Sequence, residues 1–304
     1  MSDPLRAAAR HGQWVLIAGL VFGLALPSFA GLLRPHLPLM VVGLLFVSLL
    51  RMSSVALLSS LTELPRVAPT ALILQLGLPI GVIAIARVTG TATTPVAMAL
   101  MLVASAPSIV GSPNIAMIMG TAPDHALRLM VAGTVLLPLT VLPIFALSPV
   151  LEGAGQVAAA ALRLLVTIAL TGAAAMAIRR LLFPRPSPAT EERLQGASAI
   201  ALAVFVVALM PAVASLAQAS LAQLAFWIAV AFAANFGAQI VTWRLTQGQP
   251  RDRALPLSLI AGNRNIALFL VSLPPESTAQ ILPFVGCYQL PMYLTPLLMR
   301  RMYT

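Results

Sequence analysis

Two apolar segments of the sequence are interrupted by prolines, glycines and polar side chains, and these interruptions hold the residues best suited to chemistry. The first interruption spans residues 105–114 (SAPSIVGSPN). The second spans residues 261–265 (AGNRN) and includes Arg264, the tenth of the twenty residues from Leu255 to Pro274. Proline lacks an amide hydrogen and glycine lowers helix propensity, so a continuous helix is disfavoured at both places. Backbone and side-chain groups at such breaks are suited to binding polar ligands or ions.

The candidate binding residues are the polar side chains at the two breaks, with one amide from each of two other apolar segments. A proline-kinked helix with serines bonded to its own carbonyls is the alternative for the first break. A lone amide is more often an interhelical hydrogen bond worth ~0.6 kcal/mol than a ligand contact, so the two amides join the site by association. The candidates are Ser108, Ser112, Asn114, Asn263, Arg264, Asn265, Gln75 and Asn235.

The composition places these breaks in a membrane. Of the 304 residues, 60% are hydrophobic and 9% are charged, whereas about a quarter of residues are charged in soluble domains. Crossing ~30 Å of hydrocarbon takes ~20 apolar residues, and the uncharged runs predict an all-α polytopic membrane protein with ten transmembrane helices. A turn within the polar cluster at 215–223 divides the longest run into two spans. The ten spans are 14–33, 37–58, 67–87, 94–120, 125–148, 158–181, 196–216, 221–243, 254–274 and 279–299.

The arginines give the orientation of these spans. All 18 basic residues are Arg, and the net charge is +10. With ten spans, fourteen arginines fall on one side and only Arg34 and Arg87 on the other, while Arg163 and Arg264 lie within spans. By the positive-inside rule, both termini are cytoplasmic. We therefore expect a multi-pass protein of the inner (cytoplasmic) membrane, with the bilayer and not nucleic acid as the partner of its basic loops.

Arg264 lies near the bilayer midplane, where a charged side chain costs at least ~2.5–3.5 kcal/mol. Its partner is not an obvious carboxylate, because every acidic residue falls at a span end. We expect it to face carbonyls at the C-terminal ends of half-helices, polar side chains, or an anionic ligand. A purely structural role as a carbonyl-capping cation stays open. The acidic residues are Asp3, Glu63, Asp124, Glu152, Glu191, Glu192, Asp252 and Glu276.

Other chemistry has little support in the sequence. The three histidines are far apart and lie in loops or at span ends, and Cys287 is the one cysteine. These residues do not make a metal site or a disulfide. The sequence also lacks a Ser/His/acid set, an HExxH motif and paired carboxylates within the spans, so we expect neither an enzyme nor a cofactor.

The two breaks lie at matching positions in the two halves of the chain. Asn114 and Arg264 are 150 residues apart, close to half of the length. Because five spans is an odd number, two five-span halves would insert in opposite senses, as in the inverted repeats of secondary transporters. The predicted repeats are residues 1–150 and 151–304.

Four parts of the sequence carry a resemblance to a known family. They are Pro107–Asn114 followed by Ile115-Ala116-Met117, Ala234-Asn235-Phe236-Gly237, Gly262-Asn263-Arg264-Asn265, and Gln75. Their order and spacing, across nearly the whole chain, resemble those of the bile acid:sodium symporter superfamily. The resemblance implies a panel domain (14–58 and 158–216) and a core domain (67–148 and 221–299), with broken helices 4 and 9 crossing in the core. It also implies that substrate binds near the crossing and moves by alternating access.

The sequence departs from this family at the positions that bind sodium. Sodium-coupled members carry an acidic residue where this chain has Ile260 and a glutamine where it has Arg264, and hydroxyl ligands are expected where it has Ala126 and Met130. What remains of the family's sodium ligands is mainly Gln75, Ser112 and Asn114. A fixed guanidinium repels a cation in the same space, so sodium is a doubtful partner and no metal is expected.

The sequence therefore predicts a sodium-independent secondary transporter of a small organic anion, with Arg264 as a tethered cation. Two alternatives stay open. One is a sodium-coupled organic anion symporter that binds the ion through backbone carbonyls, and the other is a channel or a membrane scaffold.

Overall fold

A computed structural model describes residues 3–149, 151 and 153–303. Met1, Ser2, Val150, Glu152 and Thr304 lie outside this description, as do the side chains of Gln13 and Ser54. The predicted division between repeats at 150 and 151, and the acidic residue Glu152, fall at one of these gaps.

Helices make up most of the described chain, which has no strands and only one isolated antiparallel bridge. The segments between α6 and α7, and after α14, are a π-helical stretch and a 3-10 helix respectively. The helices are α1 Pro4–Arg10, α2 Gly12–Ala25, α3 Pro27–Leu33, α4 Leu37–Arg51, α5 Ser54–Thr62, α6 Leu64–Leu72, α7 Leu78–Val88, α8 Pro95–Ser105, α9 Ser112–Ile118, α10 Asp124–Leu147, α11 Gly153–Leu182, α12 Pro188–Ala219, α13 Leu221–Leu245, α14 Arg251–Gly262, α15 Pro275–Leu298 and α16 Arg300–Tyr303; the other segments are Arg34–His36 (3-10), Ile73–Gly77 (π) and Ile266–Val271 (3-10).

Seven helical stretches of the described residues are long and apolar enough to cross a membrane. The chain is therefore an all-α protein with the character of a multi-pass membrane protein. Three predicted spans are not among the seven. The spans 94–120 and 254–274 are each split into two shorter segments. The span 14–33 is divided at Leu26, between the end of α2 and the stretch that begins at Pro27. The count of ten spans stays a prediction. The seven are Pro27–Arg51, Leu64–Val88, Asp124–Leu147, Gly153–Leu182, Pro188–Ala219, Leu221–Leu245 and Pro275–Leu298.

Several predicted boundaries can be compared with these helices. The turn expected within 215–223 is confirmed, since α12 ends at Ala219 and α13 begins at Leu221. The expected end of the second span at residue 58 is wrong, because α4 ends at Arg51 and a separate helix follows. The gap between the predicted spans 158–181 and 196–216 is also too wide, because α11 ends at Leu182 and α12 begins well before residue 196. The Ser187 side chain accepts the Thr190 amide and caps α12, so that helix starts at Pro188.

The chain forms two compact units, which are described separately. Unit 1 contains the residues up to Leu58 and Val166–Ala225, and unit 2 contains Ser59–Leu165 and the residues from Phe226 onward. The segments proposed as the panel fall largely in unit 1, and those proposed as the core fall largely in unit 2. All the candidate binding residues belong to unit 2.

In unit 1, α12 is the helix on which α1, α2 and α4 pack. Glycines on α2 allow its backbone to come close to α12, as small residues do between membrane helices. A Cβ atom at Gly23 would lie 2.7 Å from Met210 Cγ and 3.0 Å from Val207 Cα. The first turn of the chain is held by ion pairs, with Asp3 2.6 Å from Arg193 and Arg6 3.3 Å from Glu192.

We expect Gly23→Ala to lower the melting temperature of the purified protein. The added methyl meets the Val207 backbone, which cannot rotate away, and such overpacking costs ~1–3 kcal/mol. The matched control is Gly31→Ala, because a Cβ there meets nothing within 4 Å. Equal melting temperatures for the two variants would contradict the close packing of α2 on α12.

In unit 2, an apolar core surrounds the helices that carry the breaks. It joins α6, α9, α10, α14 and the end of the chain, and contains Ala126, Ile260 and Tyr303. The Arg251 guanidinium also donates to the Met119 carbonyl at the end of α9, 3.1 Å away. The core therefore holds both broken helices in one body.

Candidate functional site

The two predicted helix breaks are confirmed, and they lie against each other in unit 2. α8 ends at Ser105 and α9 begins at Ser112, while α14 ends at Gly262. Between the breaks, the Ile109 amide donates to the Asn263 carbonyl at 3.0 Å and the Asn265 amide donates to the Pro107 carbonyl at 2.7 Å. These bonds form an antiparallel bridge between Ser108 and Arg264. We call this feature the paired breaks.

Local sequence explains why the chain leaves the helix at each break. Pro107 pushes the residue before it toward extended backbone, and Ala106 is extended with φ −63° and ψ 151°. The second break has no proline. There, α14 comes close to α13 at Gly262, where any Cβ atom would collide with the backbone carbonyl of Asn235. The first break is therefore set by a local preference and the second by a long-range contact.

The Arg264 side chain is 2% exposed and bonds to three backbone carbonyls. Nε donates to Ala261 at 3.1 Å, Nη1 to Ala106 at 2.9 Å and Nη2 to Leu74 at 3.0 Å. The planar guanidinium presents its donors in fixed directions, which suits three acceptors on separate elements. Of the three kinds of partner predicted for Arg264, the structure provides the carbonyls.

Each of these carbonyls lacks its usual helical partner. Ala106 and Ala261 lie at the C-terminal ends of α8 and α14, where the last carbonyls of a helix are unpaired. Leu74 lies in the π-helical stretch, where the partner five residues on would be the amide of Pro79, and proline has none. Arg264 therefore satisfies acceptors that three interruptions of helical structure leave open.

The same two helix ends offset the charge of Arg264. A helix C-terminus carries a partial negative charge whose effect falls off within its last turn, so the ends of α8 and α14 offset part of the positive charge. Among the described residues, no carboxylate lies within ion-pair distance of this guanidinium. Helix dipoles and backbone carbonyls, and not a carboxylate, therefore stabilise the charge of Arg264.

A second group of buried side chains holds the other face of Gly262 and Asn263. Asn235 Nδ2 donates to the Gly262 carbonyl at 2.8 Å, and the Tyr288 hydroxyl donates to the same oxygen. Gln239 Nε2 donates to Asn235 Oδ1 at 2.6 Å, and Thr295 donates to Asn263 Oδ1 at 3.2 Å. Asn235 and Asn263 were predicted site residues, and the structure brings them together.

Gln239, Tyr288 and Thr295 were not identified from the sequence. Gln239 lies four residues after Asn235 on α13, so the spacing of two amides on one helix face was a usable signal. No local signal marks Tyr288 or Thr295, since single hydroxyls are common in membrane helices. Their role follows only from the packing of α15 against the break.

Of the five remaining candidates, three side chains make hydrogen bonds and two do not, among the residues that the structure describes. Gln75 Nε2 donates to the Gly133 carbonyl at 2.8 Å, and Ser108 and Ser112 share a 2.5 Å hydrogen bond. Asn114 and Asn265 are half-buried, and their side-chain amides make no hydrogen bond to the residues that the structure describes. Each break therefore has one asparagine side chain that makes no hydrogen bond within the described residues.

Three of the four positions contrasted above with sodium-coupled symporters are apolar and buried. Ile260, Ala126 and Met130 are each at most 2% exposed. Within the described part of the chain, no three His, Cys, Asp or Glu side chains cluster in a way that would hold a metal ion.

Comparison with known proteins adds no family assignment: no protein-family model and no curated protein matches the chain.

Proposed function

We propose that this protein is a sodium-independent secondary transporter of a small organic anion, similar to the bile acid:sodium symporter superfamily. It would work by alternating access, with ten spans in inverted repeats at 1–150 and 151–304, and both termini on the cytoplasmic side of the inner membrane. The observation that carries the proposal is Arg264, a buried cation held by carbonyls at two helix breaks that pair in one body. Broken helices that meet in this way are typical of transporter binding sites.

Sodium independence is supported by the carbonyls at the breaks, because they already accept hydrogen bonds. A hard cation needs several oxygen ligands. The Leu74, Ala106 and Ala261 oxygens accept from Arg264, and the Asn263 oxygen accepts from the bridge. A sodium-coupled symporter that uses backbone ligands at the breaks would have to displace these donors.

An anionic substrate is supported by the charge of unit 2 near the breaks. A buried guanidinium without a carboxylate partner attracts negative charge, and the low dielectric of the interior strengthens that attraction. Asn114 and Asn265 offer amide donors, one at each of the two breaks. We propose that these two amides contact the substrate while Arg264 supplies the field.

The test measures melting temperatures of the detergent-purified protein with a panel of organic anions, including bile acids and short carboxylates. Each is compared in sodium and in choline buffer. A ligand at 100 times its dissociation constant adds ~2.7 kcal/mol to the folded state. We expect one anion class to stabilise the protein equally in both buffers. Stabilisation only in sodium would favour the coupled symporter, and an absence of any ligand effect, or an ohmic current, would favour a scaffold or a channel.

We further expect Asn114→Ala and Asn265→Ala to keep the melting temperature of the free protein and to lose most of the anion-induced shift. Neither side chain has a bond to lose among the described residues, so its removal costs little stability. The matched control is Asn235→Ala, which removes a buried hydrogen bond and should lower the melting temperature of the free protein by itself. An unchanged anion shift in both single variants would remove these amides from the site.

A further inference from the structure

We propose that Tyr303 is a positioning residue for the paired breaks, because its hydroxyl satisfies the last acceptor of a hydrogen-bond chain that runs through Gln239 and Asn235 to the Gly262 carbonyl. This inference concerns the architecture of unit 2 and holds whatever the protein transports.

The Tyr303 side chain is buried and makes specific contacts, although the residue lies outside the predicted spans. It lies on the one-turn helix α16, and only 2% of it is exposed. Its ring meets Trp243 edge to face, with centroids 5.1 Å apart. Its hydroxyl lies 2.7 Å from Ser258 Oγ and donates to Gln239 Oε1 at 2.9 Å. Burial raises the pKa of this phenol above its usual range, so it stays a donor at physiological pH.

The Gln239 side chain connects Tyr303 with Asn235. Its Oε1 accepts from the Tyr303 hydroxyl, and its Nε2 faces the other way. Nε2 donates to Asn235 Oδ1 at 2.6 Å and to Thr295 Oγ1 at 3.2 Å. Without the phenol, Gln239 Oε1 would lose this donor in a buried site.

The Gly262 carbonyl sets the direction of the chain, because a carbonyl can only accept. Asn235 Nδ2 donates to it at 2.8 Å, so Asn235 Oδ1 faces Gln239 and accepts from it. Gly262 is followed by Asn263, whose carbonyl accepts the Ile109 amide of the bridge. Tyr303 supplies the hydrogen that the last acceptor, Gln239 Oε1, needs, and buried networks of this kind specify a single arrangement when all members are satisfied.

Hydrogen exchange of backbone amides tests this chain in the full-length protein in detergent. The variant is Tyr303→Phe, which keeps the ring and its contact with Trp243 and removes only the hydroxyl. The control is Tyr293→Phe, whose hydroxyl donates to Gln289 one turn away on the same helix. We expect amides of residues 105–112 and 259–266 to exchange about tenfold faster in Tyr303→Phe, which corresponds to ~1.4 kcal/mol, and to be unchanged in Tyr293→Phe.

A second variant, Gln239→Leu, interrupts the same chain one step closer to the break. It should accelerate exchange at the bridge as Tyr303→Phe does. Three results would overturn the proposal: faster exchange confined to residues 298–303, a uniform increase that includes unit 1, or no change at the bridge. None of these readouts depends on anion transport, so they are separate from the test of the proposed function.

Discussion

An Arg264→Met protein should melt far below the wild type. Methionine can fill the space of the side-chain stem but donates no hydrogen bond, so the carbonyls of Leu74, Ala106 and Ala261 would be left buried and unpaired. An unsatisfied buried acceptor costs ~1–3 kcal/mol. Removing a desolvated charge offsets part of this sum, and we expect a net loss of about 3–5 kcal/mol. Thermal unfolding of the purified protein measures it.

The matched control is Arg163→Met, which removes an arginine of the same unit. Arg163 is exposed and makes one long bond, 3.4 Å to the Ser272 carbonyl, so its loss should change the melting temperature little. Arg264→Lys separates charge from geometry. Lysine keeps the charge but presents a single ammonium, which does not reproduce a planar fork directed at three separate acceptors. We therefore expect Arg264→Lys to recover only part of the loss.

Two results would contradict the structural role of Arg264. If Arg264→Met melted like the wild type, the three carbonyls would have other partners or access to water. If Arg264→Lys were as stable as the wild type, charge alone would suffice and the three directed hydrogen bonds would not matter. In both cases, the anion response of the variant would show whether Arg264 contributes to ligand binding instead.

The sequence predicts the first of the paired breaks well because its causes are local. Pro107, Pro113 and Gly111 disfavour a continuous helix wherever they stand, and α8 and α9 are separated there. The burial of Arg264 followed from its place in an apolar run, and carbonyl partners were one of the three kinds expected, because every acidic residue lies at a span end. These inferences need only composition and position along the chain.

The partners themselves depend on contacts distant in sequence. Leu74 lies 190 residues from Arg264, and the reason that its carbonyl is free, a π-helical stretch before Pro79, is a detail of backbone register. The chain from Tyr303 to Gly262 uses uncharged side chains that occur in most membrane helices. Their hydrogen bonds depend on how the helices pack, which cannot be predicted from the periodicity of the sequence.

Gly262→Ala should be as damaging as the loss of Arg264, although it adds only a methyl group. The added Cβ would collide with the Asn235 backbone carbonyl, and it would lie 3.0 Å from Gln239 Nε2. A side chain can rotate away from such a contact, but the backbone of α13 cannot. To make room, α14 must move away from α13, which stretches the Asn235 bond to the Gly262 carbonyl.

The expected result is a loss of at least ~3 kcal/mol of stability, above the usual range for one added methyl because the obstacle is backbone. Gly237→Ala is the matched control, since it lies on α13 beside the site and a Cβ there meets nothing within 4 Å. Thermal unfolding should separate the two variants, and hydrogen exchange at Ile109 and Asn265 should rise only in Gly262→Ala. If Gly262→Ala folded with wild-type stability and a protected bridge, α13 and α14 could not be in the close contact on which the paired breaks depend.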